Sequence, residues 1–189
     1  MNDSTRVQIV IPAHNRRETT RACLAHLLAL EVPTWAGVIV VNDGSTDGTT
    51  EMISAEYSWV HIIQGTGTLW WTGAIVVGMR AAIQQGTDCI IWLNDDTLPD
   101  QGTLELLASK ARTSQAVCGA VCRGVDGREL AYGGGMVQAH WPQPIRKMDG
   151  GMEPLQVEWL HGNLVAIPEI VWRRCGLPDD THLPRMALS

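Results

Sequence analysis

The 189-residue sequence has no phenylalanine and only two tyrosines, so eight tryptophans carry nearly all of its aromatic surface. Nothing in the sequence by itself accounts for that choice. Basic runs are also missing, since Arg16-Arg17, Arg146-Lys147 and Arg173-Arg174 are no more than pairs, and the formal net charge is -6. That combination argues against a nucleic-acid partner, which is normally met by a basic patch. No stretch of about 18 apolar residues occurs, so no transmembrane helix is expected. The start, MNDSTRVQIVIPAHN, is polar, its apolar run is short, and it lacks the small-residue pattern of a cleaved signal peptide. The five cysteines are scattered. Cys118 and Cys122 stand close, but no second pair completes a zinc site, and AVCGAVC suits a buried strand. A reducing, cytoplasmic compartment is the expectation.

Several chemistries are excluded in the same way. GTGTLW has Gly65 and Gly67 but Trp70 where a dinucleotide fingerprint needs its third glycine, and it follows the third apolar strand, not the first. There is no phosphate-binding loop ending in Gly-Lys-Ser/Thr, no Gly-x-Ser-x-Gly elbow and no His-Glu-x-x-His.

What is present is an ordinary globular composition, 45% apolar and 18% charged, long enough for a real core. Compact apolar runs at 7–11, 38–41, 60–63, 89–93 and 116–122 predict buried strands. Helical spacing separates them: after Asn15, with Glu18 placed to close a capping box; over 49–56; over 74–85; and over 103–112 after Asp100. Pro12 and Pro33 read as stops. Strands alternating with helices predict an α/β fold, a mostly parallel sheet with helices on both faces. Beyond Cys122 the texture changes. GVDGRE reads as a turn, LAYGGGMV as a strand, HWPQPIRKMDGGMEP as a loop, and 157–160 and 164–167 as short strands. A helix after Pro168 ends at Gly176. One domain is expected over 1–189, with 1–122 as a nucleotide-binding half and 123–189 as an incomplete acceptor half.

Ligands of open α/β sheets bind beyond the carboxyl ends of the strands. Three strands deliver polar residues there: Pro12, Ala13, His14 and Asn15; Asn42, Asp43, Gly44 and Ser45; Asn94, Asp95 and Asp96. Any one could be a solvated loop. Adjacent carboxylates repel unless a cation or solvent relieves them. They suit Mg²⁺ or Mn²⁺, often held by one or two carboxylates plus substrate phosphates. They suit a hydrolase pair less well, because strand neighbours point to opposite faces. Asp43 suits acceptance from an imide N–H of uracil or thymine.

VIVVNDGSTDGT, IVIPAHNRRE and WLNDDT, in this order and spacing, resemble the strand-end motifs of the inverting family 2 glycosyltransferases with the GT-A fold. The last is in the Asn-first form of rhamnosyltransferase-like members. GTLWWTGAIVVGMRAA and WLHGNLVAIPEIVWRRCGLPDD are similar to the family's later segments, so the likeness covers about residues 6–180. It implies a Rossmann-like nucleotide-diphospho-sugar transferase fold. Pro12, Ala13 and Asn15 would border the base, and Asp43 would accept from it. Asp96 would be the metal-linked carboxylate, for Mg²⁺ or Mn²⁺, with Asp95 near the ribose and diphosphate. Trp71 and Gly73 would line the donor pocket, Trp71 standing open as a core or lid residue as well. His161 and Gly162 would lie near the sugar or acceptor.

The implied partners are a nucleoside-diphosphate sugar, with thymidine-diphosphate rhamnose before uridine-diphosphate sugars, and a glycan or lipid-linked glycan acceptor of surface-polysaccharide type. A cytoplasmic location, at the inner face of a membrane and with room for peripheral association, goes with them. Two departures stand out. Val77-Gly78 replaces the family's usual Asn-Gly, and no acidic residue follows Asp180, where the family's general base is expected. Asp179 and Asp180 are the acids left for that task, and a sugar hydroxyl needs one. A nucleotide-sugar binding module without turnover is the alternative. A nucleotidyltransferase would want a glycine-rich, basic loop where PAHNRRE stands.

Overall fold

The computed structural model describes residues 6–124, 130–138, 141–144 and 155–182. In chain order the elements are β1 (Val7–Ala13), α1 (Arg17–Ala29), a 3₁₀ turn (Val32–Thr34), β2 (Ala36–Asn42), α2 (Thr49–Glu56), β3 (Val60–Gln64), α3 (Trp70–Gln84), β4 (Cys89–Leu93) and α4 (Thr103–Ser114). Then follow β5 (Cys118–Gly119), β6 (Cys122–Arg123), β7 (Leu130–Tyr132), β8 (Gly134–Gln138), β9 (Trp141–Pro144), β10 (Trp159–Leu160), β11 (Leu164–Pro168) and α5 (Glu169–Cys175).

The main sheet has the order β3-β2-β1-β4-β11-β5. Strands β1 to β4 run parallel, and β11 returns antiparallel along the outer edge of β4. Alternation sorts the strand side chains between two cores. Ile9, Ile11, Val38, Val40, Cys89, Ile91 and Leu93 pack with Leu24 of α1, Ile53 of α2 and Leu104 of α4. Val10, Ile39, Val41, Ile90 and Val165 pack with Ile75 and Met79 of α3 and Trp172 of α5. The expected α/β layering, with helices on both faces, is the observed one.

Several boundaries differ from expectation for physical reasons. β1 runs through Pro12, which pairs with Val41 while Ala13 pairs with Asn42. Pairing with β4 stops at Val10, so the missing N–H of Pro12 faces no ladder partner. Asn15 does not cap α1: its φ is 50°, and Arg16 occupies the cap position. The 116–122 run splits between two sheets, β5 pairing with β11 and β6 with β7. Helix α3 starts at Trp70, four residues before the expected 74. Part of the Gly/Pro-rich loop is strand β9, paired with β8. Most of the expected GVDGRE turn and the loop over 145–154 lie outside the described residues.

The cysteines are free thiols, and burial pushes Cys23 and Cys89 up to about 12. That favours the inert, protonated form expected of packing residues.

Candidate functional site

Parallel strands β1, β2 and β4 end on one edge of the sheet, which brings their polar tips together. The tips of β1 and β2 are laced to each other. The Ala13 carbonyl accepts the Asp43 N–H at 2.8 Å. Asn15 donates its N–H to Ser45 Oγ at 2.8 Å and accepts the Thr46 N–H on Oδ1 at 2.8 Å. Ser45 in turn donates to Asn42 Oδ1. The left-handed backbone at Asn15, which Asn tolerates better than most residues, aims its amide across the gap. Asn15 therefore braces one loop against the other. His14 is exposed, with Nδ1 on the Asp43 carbonyl and Nε2 facing the Asn15 amide at 3.0 Å.

Asp47 fastens the same loop to two helices. Its carboxylate accepts the Arg17 N–H at the start of α1 at 2.9 Å, and the Thr49 N–H at the start of α2 at 3.1 Å. Helix N-termini leave such donors unsatisfied and favour a negative charge beside them. The Thr49 hydroxyl and these N–H groups hold the Asp47 carboxyl below the ordinary value of 3.8. The stabilisation is therefore present above that value and is lost as the pH falls through the depressed one. Asp47→Ala is expected to lower stability in urea denaturation at neutral pH. The gap to the parent protein should close in acid.

Asp43 is buried, 5% exposed, and its carboxylate is turned inward. It accepts backbone N–H groups from Gly67 at 2.6 Å, Leu69 at 2.9 Å and Trp70 at 3.1 Å. This cap, supplied across space, starts α3 earlier than its local sequence suggests. The anchored turn is tight: a Cβ on Gly65 would lie 2.6 Å from Asp43 Oδ1, and one on Gly44 2.7 Å from Gly67 Cα. Trp70 sits at φ 57° and is 42% exposed. That backbone region is uncommon for a bulky residue, and its N–H bond to Asp43 helps hold it there.

The acidic turn after β4 continues the strand alternation. Asn94 goes to the α3 face, where its Oδ1 accepts Trp71 Nε1–H at 2.8 Å. Its own N–H donates to the Asn163 carbonyl at 2.9 Å, and its carbonyl closes the turn with the Thr97 N–H at 3.0 Å. Trp71 also meets Trp92 edge-on, with ring centroids 5.6 Å apart. Its ring lies against Gly162, where a Cβ would come within 2.7 Å. Trp71 and Gly162 thus belong to one packed node beside the acids.

Asp95 goes to the opposite face. It is 3% exposed and accepts the Thr20 hydroxyl at 2.9 Å, with Arg16 Nε at 3.3 Å from its other oxygen. Burial pushes its carboxyl above the usual range, while Arg16 and Thr20 pull it down. Asp96 is half exposed and meets Arg16 Nη2 at 2.9 Å. A single guanidinium thus spans both acids.

The remaining expected residues fall as follows. Pro12 and Ala13 lie in the last turn of the β1 ladder. Gly73 is buried in the first turns of α3, where a Cβ would approach Leu69 Cβ to 3.2 Å. His161 is exposed, donates its N–H to the Gly133 carbonyl at 2.9 Å and stacks edge-on with Trp159. Asp179 is tied up locally, accepting the Thr181 and His182 N–H groups and His182 Nδ1 at 2.8 Å. Asp180 lies 4.0 Å from Arg80, ten residues and about 15 Å along α3 from Trp70. Neither contacts the acidic turn. Sequence reasoning did not single out Arg16, Thr20, Asn94 as a side chain, or Asp47. Arg16 carried a signal, since it follows the β1 tip and bears the charge that paired acids call for.

Of the two acids, Asp96 alone keeps an exposed carboxylate that could meet a divalent cation; Asp95 is buried behind it and engaged by Thr20 and Arg16. No group of three or more His, Cys, Asp or Glu suited to a metal occurs among the described residues. One open carboxylate would hold such an ion only if phosphate oxygens and water completed its coordination, as they often do for Mg²⁺.

A sequence profile described as glycosyl transferase family 2 matches residues 8–165. The chain belongs to that family. This family 2 domain is 32% identical over 146 residues to the undecaprenyl-phosphate mannosyltransferase of Micrococcus luteus. The match covers 76% of the chain and 55% of that relative. Among solved structures, it is similar to the mannosyltransferase PcManGT of Pyrobaculum calidifontis in complex with GDP-Man and Mn²⁺. There the TM-score is 0.64 and the identity 17%, over 93% of this chain and 48% of that one. It is also similar to S. aureus TarS 1-349 in complex with UDP, with a TM-score of 0.51 and 19% identity over 66% and 38% of the two chains. The family 2 domain has the GT-A fold, and it spans about half the length of these first relatives.

Proposed function

We propose that the protein transfers a sugar from a nucleoside-diphosphate sugar to a hydroxyl or lipid-phosphate acceptor, with inversion. What carries this reading is the convergence of Asp43, Asp95 and Asp96 on one edge of a parallel sheet in a family 2 domain. Pro12, Ala13, Asn15 and Asp43 are the proposed base-binding side. Asp43 has spent three acceptor positions on main-chain N–H groups, which leaves about one lone-pair site for an imide N–H. Asp95, Trp71 and Gly73 border the ribose, diphosphate and donor sugar, and His161 and Gly162 the acceptor side. Asp96 would hold Mg²⁺ or Mn²⁺, which would offset charge on the departing diphosphate. The lipid-linked acceptor is suggested by the name of the Micrococcus relative, and a surface glycan remains the broader class. Residues 1–122 would form the donor half, and 123–189 part of the acceptor half.

Asp179 and Asp180 are the acids proposed to deprotonate the acceptor. Either must first leave its partner, His182 or Arg80. That engagement favours a second reading, a nucleotide-sugar binding module without turnover. Calorimetric titration with UDP, dTDP and GDP, with and without Mn²⁺, tests the common part. One nucleotide should bind, more tightly with metal. In Asp96→Ala the metal-dependent gain should vanish, a loss of about tenfold or more. Unchanged affinity in Mn²⁺ would overturn the role of Asp96. Turnover of the bound nucleotide sugar then separates enzyme from binding module.

A further inference from the structure

We propose that Arg16 is the resident counter-cation of the acidic turn, and that Arg16 and a divalent cation exclude one another there. The protein would then take up the ion together with a diphosphate and hold it poorly alone. The proposal rests on the reading of Asp96 as the metal-linked carboxylate.

The geometry is that of one fork across two acids, Nη2 to Asp96 Oδ2 at 2.9 Å and Nε to Asp95 Oδ1 at 3.3 Å. The Asp95 carboxylate is closed to a newcomer, because it is 3% exposed and its second oxygen accepts from Thr20. Only Asp96 offers an oxygen toward solvent, and that side chain is already half neutralised by Arg16. A guanidinium keeps its charge at every accessible pH, so this pairing is not opened by titration. It can be opened by competition. Arg16 precedes α1 with a non-helical backbone, φ −132° and ψ 43°, and its side chain is 44% exposed, which leaves it a solvent side toward which to swing.

A dication on Asp96 would sit within a few ångströms of the guanidinium. Like charges at that distance weaken binding even in a solvent-like dielectric. A diphosphate reverses the balance. Its oxygens complete the coordination of the ion and offer Arg16 a new anionic partner that suits a planar fork. Arg16 therefore makes metal uptake conditional on the donor and keeps the acids paired when the donor is absent.

The test is a nucleotide-free Mn²⁺ titration, read from the loss of the free-ion electron paramagnetic resonance signal. It uses the parent protein and the R16Q, R16K, D96N and R16Q/D96N variants. R16Q is expected to bind Mn²⁺ about tenfold more tightly than the parent, since one positive charge beside the site is gone. R16K keeps the charge and should stay near the parent. The gain should disappear in R16Q/D96N. If R16Q binds no more tightly while D96N still weakens Mn²⁺, the metal assignment stands and the competition is refuted. If D96N changes nothing in either background, the metal assignment falls and takes this proposal with it. A purely structural brace at Arg16 would instead leave R16Q weaker than or equal to the parent, and would also refute the proposal.

Discussion

Asp43→Ala is expected to destabilise the protein by about 3 kcal/mol in urea denaturation and to weaken nucleotide binding at the same time. The stability loss follows from the cap. Three backbone N–H groups, of Gly67, Leu69 and Trp70, lose a charged acceptor at once. A hydrogen bond to a charged group is worth about 1.5–3 kcal/mol, and water will re-satisfy part of the loss at the exposed end of the loop. Trp70 would also lose an N–H bond that helps hold its left-handed backbone. Asp43→Asn separates the two roles. Its single carbonyl oxygen can keep part of the cap, while its NH₂ group faces donors and repels an imide N–H. If Asp43 reads the base, Asn should reduce binding of uracil and thymine nucleotides more than that of guanine nucleotides. An equal loss across bases would leave Asp43 as a loop anchor alone.

Gly78→Ala is the second large effect, and it acts on packing. A Cβ at this position would lie 2.3 Å from Val10 Cγ1 and 3.2 Å from Val41 Cγ2. Both valines are fully buried in adjacent central strands, so neither can turn away. Helix α3 must lift off the sheet or β1 must bend, and such overpacking costs about 1–3 kcal/mol or more. Alanine would favour an exposed helix interior by about 1 kcal/mol over glycine, so the sign of the measurement is informative. A net loss in chemical denaturation, with the helix content retained, is expected. A net gain would mean that α3 rides higher over β1 and β2 than these distances indicate. This close approach also gives Val77-Gly78 a structural reading: whatever precedes it, the glycine is required where the helix crosses two strands.

The sheet was legible because its strands are short β-branched runs whose alternation has to serve two cores. Thr49–Glu56 and Cys89–Leu93 fall where the pattern puts them, since both are bounded by local signals. The misplaced boundaries share one cause. Asn15 looks like a cap from its neighbours, yet its amide is claimed by Thr46 across the strand ends. Helix α3 begins early because Asp43, far away in sequence, supplies its cap. Pro12 looks like a stop, yet its missing N–H comes where the pairing of β1 with β4 has already ended, after Val10. Local propensity cannot see a partner brought in by tertiary structure. The same holds for the site. The acids were visible because adjacent carboxylates on an apolar strand are electrostatically odd. Their resident cation was not singled out, because Arg16 and Asp96 meet only once β1 and β4 lie side by side.

The antiparallel return of β11 has a consequence for the order in which this molecule assembles. Strands β1 to β4 and their crossovers can pair as the chain folds forward, but the outer edge of β4 waits for Leu164–Pro168. The same late strand brings in the Asn163 carbonyl that fixes the Asn94 N–H, and Gly162 beneath Trp71. Long loops must close before such contacts reward the chain, so the fixing of Asn94 and the packing under Trp71 are expected only after the parallel strands have paired. In the native ensemble the relation runs the other way: a local opening that frees β11 releases the Asn94 N–H and the packing on Trp71, while Asp95 and Asp96 keep Arg16 and Thr20.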